Sequence, residues 1–183
     1  MASRMLAADV LLAGGVIAYP TEGVFGLGCL PDDAQAVARV LAIKRRSPSK
    51  GLILIAASAP QLEGWIHDDD VARIPPPVVG RPVTWIARPT PRVPGIVTGE
   101  HDGLAVRITT HPGAAAICDA VGMPVVSTSA NVSGRPAARN ALVLRRNFGR
   151  LVDFVVPGEC GPATGPSEIR RLDTGEVLRP ARR

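Results

Sequence analysis

Five side chains that can donate or accept hydrogen bonds, Ser127, Thr128, Ser129, Asn131 and Ser133, follow a short apolar run and stop at Gly134. Short hydroxyls and an amide at this density suit phosphate, ribose or carboxylate oxygens, although a serine-rich loop can also be only a loop. Tyr19-Pro20-Thr21-Glu22 follows a second apolar run, GVIAY over 15–19. There a hydroxyl and a carboxylate can face a crevice at a strand end, or simply close a turn. Lys44-Arg45-Arg46 ends a helical stretch that Ser47-Pro48 stops, a place where cations also complement the helix C-terminus for roughly a few tenths of a kcal/mol. Lys44, however, continues the apolar face of that helix, which turns its ammonium inward. Arg107 stands between Val106 and Ile108 and needs an anionic partner, either a protein carboxylate or a substrate phosphate or carboxylate. Ser167 and Arg179, in PSEI and LRP, repeat the theme near the C-terminus.

Familiar catalytic signatures are absent. The chain has no GxxxxGK[ST], no GxGxxG after a strand, no HExxH and no GxSxG, and His67, His101 and His111 lack metal-ligand spacing. Cys29, Cys118 and Cys160 are odd in number and far apart, which excludes a disulfide framework and any CxxC motif. No metal site within the protein is expected.

A length of 183 residues suits one domain, here 1–183, and 46% hydrophobic content allows a core. No apolar run nears the ~18 residues of a membrane span and no signal pattern opens the chain, so a soluble cytoplasmic protein is expected. Net charge is +5, and all of the surplus follows residue 106. Such basicity suits an anionic ligand, a nucleotide or RNA, or else a solvated arginine-rich face. Six aromatics are too few for a base-stacking platform.

Apolar β-type runs alternate with alanine-rich helical stretches, the pattern of an α/β domain. Helices are expected at 5–13, from the Asp32-Asp33 cap to Lys44, weakly at 59–65, at 112–121 closed by Gly122, and at 137–148 with Arg145 and Arg146 exposed. Strands are expected at 15–19, 51–57, 83–88, 104–109, 124–128, 151–156, 167–172 and 176–178. The turn at Asp173-Thr174-Gly175 implies an antiparallel hairpin and hence a mixed sheet. The rest of the proline-rich stretch 68–94 reads as a long surface excursion.

The pieces GGVIAYPTEGVFGLGC (14–29), IKRRSPSKGLILIA (43–56), LAVRITTHP (104–112), PVVSTSANVSGRP (124–136), VPGE (156–159), GPSEIR (165–170) and VLRP (177–180) occur in the order seen in one family. In this combination the sequence resembles the TsaC/YrdC (RimN) family of threonylcarbamoyl-AMP synthases. Three departures stand out: Ser47 precedes the proline that in the family follows the KxR element directly, Gly23 and Phe25 replace common polar or tyrosine residues, and residues 79–84 read VGRPVT.

The resemblance implies a YrdC-like twisted open mixed sheet flanked by helices, with an electropositive concave face. It implies a nucleotidyltransferase that converts L-threonine, bicarbonate and ATP, with Mg²⁺ accompanying ATP, into threonylcarbamoyl-adenylate and pyrophosphate. Partner proteins of the threonylcarbamoyl-transfer pathway then modify tRNA next to the anticodon; no membrane is involved. Carried over residue by residue, the KxR and SxN elements fall on Lys44, Arg46, Ser129 and Asn131. Thr21, Arg107, Ser127, Ser167 and Arg179 are the further substrate contacts. Lys44 and Arg46 are expected on phosphates and the carbamate, Ser129 and Asn131 on the triphosphate or its Mg²⁺, Arg107 or Thr21 on threonine, and Arg179 on the nucleotide. The alternative is a non-catalytic RNA-binding or ribosome-maturation factor that uses the same basic face.

Overall fold

Alternation along the strands sorts their side chains onto two faces of one sheet, and that sorting builds both the core and the site. The computed structural model describes residues 2–163 and 165–181. Its strands are β1 (Ile17–Pro20), β2 (Phe25–Gly28), β3 (Ile53–Ala56), β4 (Val83–Ala87), β5 (Leu104–Ile108), β6 (Val125–Ser129), β7 (Phe154–Val155), β8 (Glu168–Arg171) and β9 (Val177–Arg179). They form one nine-stranded sheet in the order β7-β1-β2-β6-β3-β5-β4-β8-β9. β7 with β1, β3 with β5 and β4 with β8 are parallel, and the other neighbours are antiparallel. The sheet is thus mixed, as the short turns imply.

Helices flank it: α1 (Ala2–Leu12), α2 (Ala34–Lys44), α3 (Asp68–Arg73), α4 (Gly95–Thr98), α5 (Pro112–Val121) and α6 (Ala141–Phe148). One face carries Ala18, Leu27, Leu54, Leu104, Val106 and Val126 against α2 residues Val37, Val40 and Leu41. The other carries Ile17, Tyr19, Ile55 and Val125 under Ala7 and Leu11 of α1 and Ala114, Ile117 and Cys118 of α5. The register Ile55↔Arg107, Ile53↔Ser127 and Gly26↔Ser129 places Arg107, Ser127 and Ser129 on this second face as well. Along that face the strands change from apolar, beneath α1 and α5, to polar beyond them.

Three expectations are corrected. Residues 68–73 are helical rather than part of an excursion: three aspartates in the first turn suit the helix N-terminus, and buried Asp70 accepts the Arg88 backbone N–H at 2.7 Å and its Nη2 at 2.7 Å. Helix α6 begins at 141, not 137, capped by Asn140, because Ala138 instead bridges β2 and β6 with a carbonyl to Phe25 and an N–H to the Ala130 carbonyl. The weak helix at 59–65 is a short 3₁₀ turn over Ala59–Leu62. No helix among the described residues is long and apolar enough to cross a membrane.

Helix α2 begins at Asp33, whose carboxylate accepts the N–H groups of Gln35 and Ala36, and ends at Arg45 in the left-handed conformation, φ 49°. That turn reverses the chain so that Lys44 stays in the core while Arg46 comes out beside the sheet. A side chain at φ > 0 is strained by about 1 kcal/mol. Arg45→Gly is therefore expected to raise Tm by about 1–2 °C in a thermal melt, since glycine's greater unfolded-state entropy offsets part of the relief. Activity stays within about twofold because the Arg45 side chain is exposed. A large activity loss would instead place that side chain in the site.

Candidate active site

Beyond α1 and α5 the polar half of the second face floors a cavity of about 190 Å³. Seven of the nine sequence-predicted residues line it: Thr21, Arg46, Arg107, Ser127, Ser129, Ser167 and Arg179. Its charged lining among the described residues is three arginines and one carboxylate, Glu22. Gly26 keeps the floor open, since a Cβ there would lie 3.3 Å from both Ser127 Oγ and Thr21 Cγ2. A larger mixed-charge cavity of about 780 Å³ adjoins it, sharing Arg46, Gly51, Leu52, Ile53 and Arg179. The two together offer room for a small polar molecule beside a larger one.

Lys44 and Asn131 stand behind the wall rather than in it. Lys44 is 2% exposed, and its ammonium donates to the Ser129 carbonyl, the Asn131 carbonyl at 3.0 Å and Asn131 Oδ1 at 3.1 Å. Asn131 Oδ1 also accepts Ser129 Oγ at 2.6 Å, and Asn131 Nδ2 donates to the Val132 and Arg135 carbonyls. The Lys44 carbonyl accepts the Ser133 N–H at 2.9 Å. Three acceptors thus meet the three N–H bonds of the ammonium, and the residues 129–133 wrap around the end of α2. Burial, and then the Arg46 charge, push the Lys44 amine down to about 8. Lys44 holds the turn that presents Ser129 to the cavity.

Arg107 meets the protein carboxylate that its apolar flanks call for. Glu22 lies 3.5 Å from its Nη2, with the two side chains 7% and 12% exposed respectively. Glu22 Oε1 accepts Thr109 Oγ1 at 2.7 Å and the Thr110 N–H at 3.1 Å. Burial opposes the charge of Glu22, yet the Arg107 guanidinium and the Thr109 hydroxyl hold its carboxyl below the usual range. Glu22 Oε2, Arg107 Nε and the nearby Tyr19 hydroxyl are buried without a hydrogen-bond partner in the protein. The ion pair compensates charge but leaves hydrogen-bonding capacity unmet at atoms closed to solvent.

Backbone carbonyls fix Arg46, Arg179 and Thr21. Arg46 Nη2 donates to the carbonyls of Lys50 and Gly51, each at 3.0 Å, and burial lowers its pKa. Arg179 Nη2 donates to the Ser167 carbonyl at 2.8 Å, while the Ser167 hydroxyl shares a 2.7 Å hydrogen bond with Thr84. Thr21 Oγ1 donates to the Val24 carbonyl at 2.7 Å, leaving its lone pairs available as acceptors. Among the described residues no three His, Cys, Asp or Glu side chains converge on a metal position. The donor set fits a cation carried by phosphate oxygens, with Ser127 and Ser129 hydroxyls nearby, and not one caged by carboxylates.

Glu22 lines the cavity as well, and Thr109 and Thr110 stand behind it as its hydrogen-bond partners. Glu22 is legible as a carboxylate at the strand end, but its pairing with Arg107 depends on the chain after β1 meeting β5, four positions away in the sheet order. The loop residues Ala163, Gly165 and Pro166, which form one wall, had no chemical signal at all.

Comparisons with known proteins place the fold. The Sua5/YciO/YrdC family, described as Telomere recombination, matches residues 9–181. A protein of Cellvibrio japonicus (strain Ueda107) named Threonylcarbamoyl-AMP synthase is 50% identical over 178 residues, covering 96% of this chain and 94% of its own. One of the same name from Nitrosococcus oceani is 49% identical over 177 residues, covering 95% of each chain. The crystal structure of P. abyssi Sua5 complexed with L-threonine superposes with a TM-score of 0.85 at 28% identity, over 97% of this chain and 53% of that longer one. E. coli YciO shares the fold, with a TM-score of 0.79 at 24% identity over 96% of this chain and 87% of its own. With its open mixed sheet, its arginine-lined cavity and a match across nearly its whole length, the chain belongs to the Sua5/YciO/YrdC family.

Proposed function

We propose that this protein is a threonylcarbamoyl-AMP synthase, a nucleotidyltransferase that makes L-threonylcarbamoyladenylate and pyrophosphate from L-threonine, bicarbonate and ATP. The observation that carries the reading is the small cavity with a half-satisfied Glu22–Arg107 pair on its wall, opening beside Arg46 and Arg179 toward a larger one. A carboxylate and a guanidinium side by side match the ammonium and carboxylate of a zwitterionic amino acid. The P. abyssi relative bound to L-threonine supports the same choice.

In this reading Arg107 takes the threonine carboxylate, Thr21 its hydroxyl, and Glu22 the amine. The amine attacks the bicarbonate carbon and, with loss of water, forms a carbamate. A carbamate oxygen then attacks the α-phosphorus of ATP, the bond to the β-phosphate oxygen breaks, and pyrophosphate leaves. Mg²⁺ enters with ATP and neutralises phosphate charge. Arg46 and Arg179 stabilise charge on the transferring phosphate, and Ser127 and Ser129 orient the phosphates and carbamate; positioning and electrostatics suffice, with no covalent intermediate on the protein. The product passes in the cytoplasm to proteins that modify tRNA.

The test is pyrophosphate release by the pure protein with MgATP. Release that requires both L-threonine and bicarbonate is expected. No threonine-dependent release would overturn the reading and return the alternative of an RNA-binding factor, whose affinity would fall steeply with salt.

A further inference from the structure

A strap, residues 157–163, is laid over the end of β1 and reaches the wall of the small cavity at Ala163. The Gly161 N–H donates to the Thr21 carbonyl at 2.9 Å and the Ala163 N–H to the Glu22 carbonyl at 2.8 Å. The fit is close on both sides: a Cβ at Gly23 would lie 2.4 Å from the Ala163 carbonyl oxygen, and one at Gly161 2.7 Å from that of Glu22. Arg139 Nη2 donates to the Ala163 carbonyl at 3.2 Å. The strap therefore rests on the residues that form the small cavity, with Ala163 in its wall.

Its other end is held by a histidine. His111 caps α5, its Nδ1 accepting the Ala114 N–H at 3.2 Å, while its Nε2 lies 3.0 Å from the Glu159 carbonyl. An imidazole whose Nδ1 accepts carries its proton on Nε2, so the second contact is a donation to the strap. The His111 N–H reaches Thr109 Oγ1 at 3.2 Å, and that hydroxyl donates to Glu22 Oε1 at 2.7 Å. His111, Thr109, Glu22 and the strap thus form a continuous chain of hydrogen bonds that reaches the small cavity at Glu22 and Ala163.

We propose that His111 is a positioning residue for the amino-acid substrate: its Nε2–H clasps the strap at Glu159 and so keeps Ala163 against Glu22. This rests on the assignment of the small cavity to threonine. Asparagine separates the two duties of His111, because it caps a helix well but is too short to reach Glu159.

The experiment compares His111→Asn and His111→Ala with the wild-type protein, by thermal melting, by hydrogen exchange at the Gly161 and Ala163 amides, and by steady-state kinetics. His111→Asn is expected to melt with the wild type, whereas His111→Ala melts lower. In His111→Asn the two amides exchange about three- to tenfold faster, the weight of one hydrogen bond, and KM for threonine rises by a similar factor. KM for ATP and kcat stay within about twofold. Unchanged exchange with unchanged KM for threonine would overturn the proposal. So would faster exchange and a raised KM for threonine in His111→Ala alone, with His111→Asn matching the wild type in both, which would reduce His111 to a helix cap. Hydrogen exchange needs no substrate, so it decides the clasp even if threonine-dependent pyrophosphate release is absent and the functional reading fails.

Discussion

Replacing Lys44 with methionine lowers kcat/KM at least about a hundredfold and lowers Tm by about 4–8 °C, although no atom of Lys44 lines the cavity. Methionine is unbranched and of similar length but offers no donor to the Ser129 and Asn131 carbonyls or to Asn131 Oδ1. Two opposing terms decide the stability. Removing a buried ammonium relieves its desolvation, while buried oxygens left without a donor cost about 1–3 kcal/mol each. Ser129 and Asn131 keep some other bonds, so the net cost is about 2 kcal/mol. The activity loss has a separate origin: once the turn shifts, Ser129 leaves its place on the cavity wall, and misplacement by about 1 Å costs roughly a hundredfold.

Calorimetry separates this role from direct phosphate binding. A phosphate ligand would, on removal, raise KM for ATP and leave the fold as stable or more so. Linkage gives a second check. The folded value for Lys44 is about 8 against an ordinary 10.5, so between these the unfolded chain holds a proton that the folded chain has released. Stability of the wild type relative to Lys44→Met therefore rises as pH increases from about 8 toward 10.5, and is flat below 8 where both states hold the proton. A relative stability that falls across this window would sink the assignment.

Glu22→Gln is the second large effect. Glutamine keeps the shape and an oxygen for Thr109 and Thr110, but it removes the charge facing Arg107, whose side chain is only 12% exposed. An uncompensated buried guanidinium costs about 3 kcal/mol, or roughly 6–12 °C in Tm. KM for threonine rises at least about tenfold, because the cavity loses the anionic half of its zwitterion match. The wild type also carries a pH signature. The folded carboxyl of Glu22 titrates below the ordinary 4.5, so its stabilisation is complete above 4.5 and is lost as pH falls through the folded value. Acid melts of Glu22→Gln should show a shallower fall across that range. An equally steep fall, with unchanged KM for threonine, would mean that the pair is neither a stabilising contact nor a substrate one.

The features that sequence made legible are those with a short period. Val37, Val40, Leu41 and Lys44 lie on the buried face of α2 because of 3.6-residue spacing. Gly122, at φ 70°, ends α5 where expected. Features that lacked a local signal were missed. β2 is Phe-Gly-Leu-Gly, half glycine, and glycine is depleted in strands. It forms because it pairs with both β1 and β6, and because a Cβ at Gly28 would press within 2.8 Å of the Tyr19 ring. Helix α6 begins at Ala141, later than local propensity predicts, because the tertiary bridge at Ala138 overrides that propensity in residues 137–140.

Residue types and their alternation, by themselves, determined which side chains could serve: an arginine between two core residues, a lysine on an apolar helix face, hydroxyls beyond an apolar strand. Only the tertiary structure decided their roles. A side chain's work depends on which acceptors and charges long-range strand pairing brings within about 3 Å, and local periodicity carries no information about that. Parallel pairing of β3 with β5 and antiparallel pairing of β2 with β6 set Arg107 and Ser129 over the same floor. The left-handed turn at Arg45 then sends Lys44 inward to brace the site and Arg46 outward to line it.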